Sequence, residues 1–232
     1  MMRHDSRSVG DSGGRLLIAE GVSGNAPAVI DIAAALAPFP PARGNAYPGL
    51  RRMIGNGDRA AAGYSRDLLR RLVPLINATF ALEGFDLLTA SFSMVTAPPD
   101  RLALPQRMPH FDSVDPHYLA ILHYLGGTDD SGTAFYRQRA TGIDRVTDAN
   151  RAAFIAAAER EAAGWSGYIG GSTPSFERID AVEALPDRVI VYQGSLLHSG
   201  MIPAGMSFSD DPRSGRLTAN FFVRGRPRSA QT

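Results

Sequence analysis

Short apolar segments separated by turn-forming clusters recur through the middle and C-terminal parts of this sequence. Those with strand character are residues 87–96, 117–125, 133–137, 188–193 and 216–224. β-Branched and aromatic residues favour strands, whereas breaks such as Pro98-Pro99 and the run GGTDDSG at 126–132 favour turns. Helical patterns occupy residues 65–80 and 147–163. The alternation predicts a mainly β protein, a sandwich or barrel with helices packed on one side.

The length and composition are those of one folding unit. The 232 residues, 44% hydrophobic and 20% charged, suffice for one buried core, and no linker-like stretch divides them. We therefore predict a single domain over residues 1–232. It would begin with a flexible tail at 1–14, where the sequence is polar and rich in glycine and serine. The stretch 45–57 is interpreted as a loop.

The charge and hydropathy patterns exclude several kinds of partner. A formal net charge of +1 gives no electrostatic case for binding nucleic acid or an acidic membrane. The N-terminal stretch lacks the apolar core of a signal peptide, and no apolar run approaches the length of a membrane span. From these features we expect a soluble, cytoplasmic protein.

The chain has no cysteine, so histidine and carboxylate side chains would have to form any metal site. His110 and Asp112 are two residues apart, and on an extended backbone their side chains point the same way. A third ligand would complete a metal site with one face open. The candidates are His117, His123 and His198. The first two lie in one predicted strand and could equally be packed in a core, whereas His198 follows a glycine break at a strand end.

The order of the segments around this motif resembles the prolyl-hydroxylase-like branch of the 2-oxoglutarate/Fe(II)-dependent dioxygenase superfamily. The matching pieces are HFD at 110–112, HYL at 123–125, SGTAF at 131–135, DRVIVY at 187–192, His198 and RLT at 216–218. Each piece is short, but their order and spacing extend over residues 87–223. The resemblance implies a double-stranded β-helix, the jelly-roll fold of cupin-like proteins, with packed helices and a core at residues 87–224.

The resemblance also implies the centre of the site. His110, Asp112 and His198 would be the catalytic residues and would hold Fe(II), to which 2-oxoglutarate and O2 would bind. Arg216 would bind the far carboxylate of 2-oxoglutarate, because a guanidinium group is permanently charged and matches a carboxylate with two parallel hydrogen bonds.

Two further residues would assist in binding 2-oxoglutarate. Along the last predicted strand, Arg216, Thr218 and Asn220 share one face, and the residues between them are apolar. By the resemblance, Thr218 would support the cosubstrate and Tyr124 would donate a phenol hydrogen bond to its carboxylate. Because neighbouring residues of a strand face opposite sides, this role for Tyr124 argues against His123 as a metal ligand.

One spacing departs from the pattern of the superfamily. The distal histidine and the arginine usually lie about one strand and one turn apart, whereas His198 and Arg216 are separated by 18 residues. The extra residues, 201–215, could form a hairpin at the mouth of the site. Arg213 is then a rival for the carboxylate-binding role, although it follows Pro212 in a turn-like stretch.

Together these features predict an Fe(II)- and 2-oxoglutarate-dependent oxygenase. It would hydroxylate an unactivated C–H bond of an amino-acid, peptidyl or small-molecule substrate, and its oligomeric state is left open. One alternative is a non-catalytic jelly-roll protein that binds a metal or ligand, and a second is a cupin-like metal enzyme without a cosubstrate. Arg216 and Tyr124 distinguish the second, which would need no carboxylate clamp.

Overall fold

The computed structural model describes residues 2–44, 47–126 and 129–228. Within these ranges the chain forms ten strands and three α-helices. In chain order they are β1 (Arg3–Val9), β2 (Gly14–Glu20), α1 (Ala26–Ala34), β3 (Gly49–Met53), α2 (Arg59–Phe80), β4 (Leu82–Val95), β5 (Tyr118–Tyr124), β6 (Gly132–Gln138), α3 (Arg151–Glu161), β7 (Phe176–Glu183), β8 (Arg188–Gln193), β9 (His198–Met201) and β10 (Leu217–Pro227). No helix in these ranges is long and apolar enough to cross a membrane.

The strands form two facing antiparallel sheets. The larger has the order β1-β2-β8-β5-β10-β4-β3, and the smaller has the order β7-β6-β9. His110 pairs with His198 at the start of β9 through two backbone hydrogen bonds of 2.9 Å, so the segment around His110 extends the smaller sheet. Phe135 and Val182 of the smaller sheet pack against Tyr192 of the larger one in a shared core. The architecture is the predicted double-stranded β-helix.

Helices cover the outer faces of both sheets. Helix α2 places Leu68, Leu72 and Ile76 at helical spacing against the larger sheet, where all three are almost fully buried. Helix α1 packs in the same layer. Helix α3 instead inserts Phe154 beside Phe176 of β7, on the outer face of the smaller sheet. The prediction that the helices pack on one side is therefore wrong, because an Ala-rich helix carries too weak an apolar stripe to indicate which sheet it covers.

The predicted flexible tail at 1–14 is also wrong. Strand β1 pairs with β2 along its whole length, from Arg3 opposite Glu20 to Val9 opposite Gly14. Its side chains are mostly exposed, so its polar composition resembles that of a tail, but pairing requires only backbone groups. Arg7 adds an ion pair with Asp180 of β7, with 2.8 Å between Nη2 and Oδ1.

The larger sheet extends beyond the predicted core of residues 87–224. Strands β1, β2 and β3 all precede residue 87, and β4 begins at Leu82. Strand β3 lies within the stretch 45–57 that was interpreted as a loop, and residues 45 and 46 of that stretch are outside the described residues. Strand β3 pairs with β4 at the sheet edge, and its position brings basic side chains to the functional site.

Candidate metal centre and anion pocket

Two histidines and one aspartate converge at one end of the sandwich. His110, Asp112 and His198 each offer a ligand atom, and these atoms lie within 4.8 Å of one another. Asp112 Oδ2 is 3.6 Å from His198 Nε2, and Asp112 Oδ1 is 3.9 Å from His110 Nε2. The segment around His110 is extended but forms only a one-residue bridge, not the regular strand that the spacing predicted. An extended backbone is enough to point the side chains of His110 and Asp112 the same way.

The backbone and one side-chain hydrogen bond orient these ligands. The backbone N–H of Asp112 donates to the carbonyl of Gly194 at 2.7 Å, which holds the aspartate beside the chain leading to His198. His198 Nδ1 lies 2.8 Å from the carbonyl oxygen of Leu196. Since a carbonyl only accepts, Nδ1 carries the hydrogen, and the lone pair of Nε2 faces the cluster. His198 is thus held in the tautomer that binds a metal.

The protein environment keeps both imidazoles neutral. His110 is partly exposed, but it faces a cavity walled by protein, and this burial together with the nearby His198 lowers its pKa to about 4. Burial also lowers the pKa of His198 to about 4. Burial raises the pKa of Asp112, an effect opposed by the nearby His110 and Arg51. Neutral imidazoles are the metal-binding form at neutral pH.

The other two candidate histidines lie elsewhere. His123 points to the outer face of the larger sheet, where Nδ1 is 2.6 Å from the hydroxyl of Tyr64 and Nε2 is 2.8 Å from Asp187 Oδ1. His117 is half-buried just before β5. Of the three candidates for the third ligand, the structure places only His198 beside His110 and Asp112.

A cavity of about 360 Å³ opens beside the three ligands and contains Arg216 in its wall. Arg216 is 5% exposed, and its Nη2 donates to the carbonyl of Gly132 at 2.9 Å. Its Nε and the hydroxyl of Tyr47, another wall residue, are buried without a hydrogen-bond partner among the described residues. Thr218 and Asn220 line the same wall, as the alternation along β10 predicted. A buried cation with unpaired donors fits an anionic ligand.

Tyr124 is placed differently from its predicted role. Its hydroxyl donates to Thr133 Oγ1 at 2.7 Å, and Thr133, across the sandwich on β6, is the residue of this pair that lines the cavity. Burial raises the pKa of Tyr124 to about 12, although its bond to Thr133 and the charge of Arg216 oppose the shift. Sequence reasoning missed Thr133 because alternation along a strand indicates a face but not the partner in the opposite sheet.

Arg213 does not reach the cavity. Its Nη2 forms an exposed ion pair with Asp31 Oδ1 of helix α1 at 2.8 Å, and its side chain is 58% exposed. Residues 202–216 connect β9 to β10 without a strand of their own, so the hairpin suggested for 201–215 does not form. Ile202 and Met206 of this connection are buried against Val95 of β4.

Sequence reasoning also missed the basic residues that the N-terminal part of the chain contributes to the cavity wall. Arg43, Tyr47 and Arg51 all line it and belong to the region around β3. Arg51 Nε donates to Ser93 Oγ at 3.1 Å, and its guanidinium carbon lies 4.6 Å from the centre of the Tyr47 ring. The only available signal was the Arg51-Arg52 pair, which is more typical of a solvated surface.

Gly194 allows the close approach of the chains that hold Asp112. A Cβ atom at Gly194 would lie 2.6 Å from Cδ1 of Tyr118 and 3.1 Å from Cβ of Asp112. We expect Gly194→Ala to displace Asp112 and weaken Co(II) binding by about tenfold, the scale found when groups that orient metal ligands are altered. Titration calorimetry would measure the affinity. Gly205→Ala is the control, because a Cβ there meets nothing within 4 Å. Equal Co(II) affinity in both variants would contradict the role of Gly194.

The fold and the cluster together define a jelly-roll protein with a candidate two-histidine, one-carboxylate metal centre. The chain belongs to the protein family described as "Family of unknown function (DUF6445)", which matches residues 1–223. No curated protein matches the sequence.

Several solved structures are similar to this chain. SnoN, the non-heme alpha ketoglutarate dependent epimerase from nogalamycin biosynthesis, has a TM-score of 0.50 at 12% identity and covers 91% of this chain and 81% of its own. Iron-bound HygX from Streptomyces hygroscopicus has a TM-score of 0.49 at 15% identity, with 94% and 83% covered. The viral collagen prolyl hydroxylase of Paramecium bursaria Chlorella virus 1 has a TM-score of 0.46 at 8% identity, and the match covers 96% of this chain and 95% of the hydroxylase. The likeness to SnoN confirms the predicted fold.

Proposed function

We propose that this protein is an Fe(II)- and 2-oxoglutarate-dependent oxygenase that hydroxylates a C–H bond of an amino-acid, peptidyl or other small substrate. One observation carries the proposal: the cluster of His110, Asp112 and His198 faces the same cavity as the buried Arg216. Together they supply metal ligands on one side and a permanent cation with unpaired donors on the other.

The donor set suits ferrous iron. Two neutral imidazoles and one carboxylate on one side of a metal leave positions open for other ligands, which is typical of non-haem Fe(II) oxygenases. When bound, the iron would couple the oxidative decarboxylation of 2-oxoglutarate by O2 to substrate oxidation, with succinate and CO2 as co-products. The hydrogen bond from His198 Nδ1 to Leu196 keeps the Nε2 lone pair available at the cluster.

Residues of both sheets would hold the cosubstrate. Arg216 has an unpaired Nε directed to a buried environment, where a carboxylate would satisfy it with a charge-assisted hydrogen bond. Thr218 on the same strand face and Thr133, bonded to Tyr124, add hydroxyl groups near this position. Apolar wall residues, among them Phe222 and Ile202, would limit the access of water to the reacting groups.

The same groups argue against the two alternatives. A metal enzyme without a cosubstrate would have no ligand for Arg216, and burying an uncompensated charge is costly. A non-catalytic binding protein is under no constraint to retain every group of the site, yet the metal cluster and the buried arginine are both present.

The test is anaerobic addition of Fe(II) and 2-oxoglutarate, with the weak metal-to-ligand charge-transfer band in the visible spectrum as the readout. We expect the band with the wild-type protein and its loss in His198→Ala, because the cluster then has only two ligands. His117→Ala serves as the control, since this histidine lies outside the cluster. Absence of the band from the wild-type protein, or its persistence in His198→Ala, would refute the proposed site.

A further inference from the structure

The cavity holds more positive charge than iron and 2-oxoglutarate require. Its wall contains Arg43, Arg51 and Arg216, and Asp112 is the only carboxylate among the lining residues. The charges of a divalent metal and of the dianionic cosubstrate cancel, and the negative charge of Asp112 offsets that of one arginine. Histidines bind a metal as neutral imidazoles and so add no charge. An excess of positive charge is therefore left for a further ligand.

Arg51 occupies a different part of the cavity from Arg216. Arg51 pairs with Ser93 across β3 and β4, and Ser93 pairs with Thr218 across β4 and β10. Paired residues face the same side of a sheet, and neighbouring strands are about 4.8 Å apart, so the Arg51 backbone lies roughly 10 Å from β10. Arg51 and Arg216 thus approach the cavity from separate strands.

Arg51 and Arg216 also differ in their surroundings. Arg216 is almost fully buried and donates to the carbonyl of Gly132 on β6. Arg51 is half-buried on the edge strand β3. Arg51 is therefore a separate cation from the one that would hold the cosubstrate.

Arg51 is held in place without being neutralised. Its Nε bonds to Ser93 and its guanidinium lies over the Tyr47 ring, while none of the ion pairs among the described residues includes it. It is half-buried, and both guanidinium nitrogens beyond Nε are free of ion pairs in that part of the chain. Such a group is prepared for a carboxylate, which it can bind with two parallel hydrogen bonds.

We propose that Arg51 binds a carboxylate of the primary substrate, so that the substrate is a small carboxylic acid and not an internal residue of a peptide. The inference rests on the proposed function and narrows its substrate class. An internal peptide residue has no free main-chain carboxylate to pair with Arg51. A free acid does, and its carboxylate would position the rest of the molecule beside the metal cluster.

The test compares acids with their primary amides. Protein loaded with Zn(II), which does not support turnover, and saturated with 2-oxoglutarate is screened by ligand-observed NMR. The probes are hydrophobic L-amino acids and simple monocarboxylates, each paired with its own amide. We expect acids to bind and amides not to bind. Arg51→Gln should weaken acid binding by at least about tenfold, the effect of losing a charge-assisted hydrogen bond. Arg213→Gln, a change on the exposed surface, should bind acids with the affinity of the wild type.

The visible band with Fe(II) and 2-oxoglutarate separates the two proposals. Arg51→Gln should keep this band, because Arg216 is intact. Absence of the band from the wild-type protein would overturn the proposed function, and the acid and amide comparison could still be made with Zn(II) alone. The assignment of Arg51 fails if no acid binds, if amides bind as well as acids, or if Arg51→Gln binds acids like the wild type. It also fails if Arg51→Gln loses the band.

Discussion

Arg216→Met is expected to weaken 2-oxoglutarate binding by about 30-fold or more, since losing one partner of a buried, hydrogen-bonded charge pair costs about 2–5 kcal/mol. Without the ligand, the same change should leave the protein as stable as before or more stable. Arg216 is 5% exposed, and its only hydrogen bond within the described residues runs from Nη2 to the carbonyl of Gly132. Replacing a buried charge that lacks an ionic partner by an apolar side chain of similar length removes the free-energy cost of keeping that charge out of water.

Two measurements check this prediction for Arg216. Titration of 2-oxoglutarate into the anaerobic Fe(II) protein gives its affinity, and urea unfolding without ligand gives the free energy of unfolding. Arg213→Met is the matched control, because that arginine is exposed and paired with Asp31. If Arg213→Met lost affinity and Arg216→Met kept it, the carboxylate would bind on the β9–β10 connection. A large loss of stability in Arg216→Met would instead make Arg216 a structural residue.

Two of the three residues of the metal cluster were predictable because their signals are local. The two-residue spacing of His110 and Asp112 needs only an extended backbone, and alternation along β10 correctly separated the cavity face of Arg216 and Thr218 from the helix-covered face. Alternation along β5 likewise placed Tyr124 on the face opposite His123, as the structure has it. The place of His198 beside the other two came from its family resemblance, since no local pattern joins residues so far apart in the chain.

The rest of the site depends on contacts that no local pattern encodes. Strand β3 carries Arg51 and Arg52 on an edge, and an edge strand with basic side chains has the composition of a loop. Its pairing with β4 is set by tertiary structure, and only that pairing turns Arg51 towards the cavity. Thr133 was missed for a similar reason, because it faces Tyr124 from the opposite sheet. Strand β1 is also held by pairing and not by apolar burial.

Asp187→Ala is expected to destabilise the protein by about 3 kcal/mol, the scale for leaving buried hydrogen-bonding groups without a partner. Asp187 Oδ1 accepts hydrogen bonds from His123 Nε2 and from the backbone of Ser23, and Oδ2 accepts one from Gly24, each at 2.8 Å. His123 is fully buried and its other nitrogen meets the hydroxyl of Tyr64 on helix α2. Removing the carboxylate would leave a buried imidazole and two amide groups without their acceptor.

Urea unfolding would measure the loss in Asp187→Ala, with Asp67→Ala as the control. Asp67 forms an exposed ion pair with Arg70, 3.2 Å from Oδ1 to Nη1, and such pairs contribute at most about 1 kcal/mol. The loss of stability in Asp187→Asn should lie between those of Asp187→Ala and Asp67→Ala. Asparagine keeps a side-chain acceptor and tolerates the positive φ of 61° at this position. A loss in Asp187→Ala no larger than in Asp67→Ala would show that this network does not stabilise the fold.

The pH dependence of the difference between wild type and Asp187→Ala provides an independent check. Burial alone would raise the pKa of Asp187, but the hydrogen bonds from His123, Ser23 and Gly24 lower it to about 2. The folded-state pKa is therefore below the unfolded value of about 3.9, so the stabilisation is present above about pH 4 and is lost as the pH falls towards the folded pKa. The two unfolding free energies should converge between these values.

Because His123 lies on the helix-covered face of β5 and Tyr124 on the cavity face, the same strand carries a stabilising network on one side and the proposed cosubstrate pocket on the other. Asp187→Asn should accordingly bind 2-oxoglutarate like the wild type wherever it remains folded.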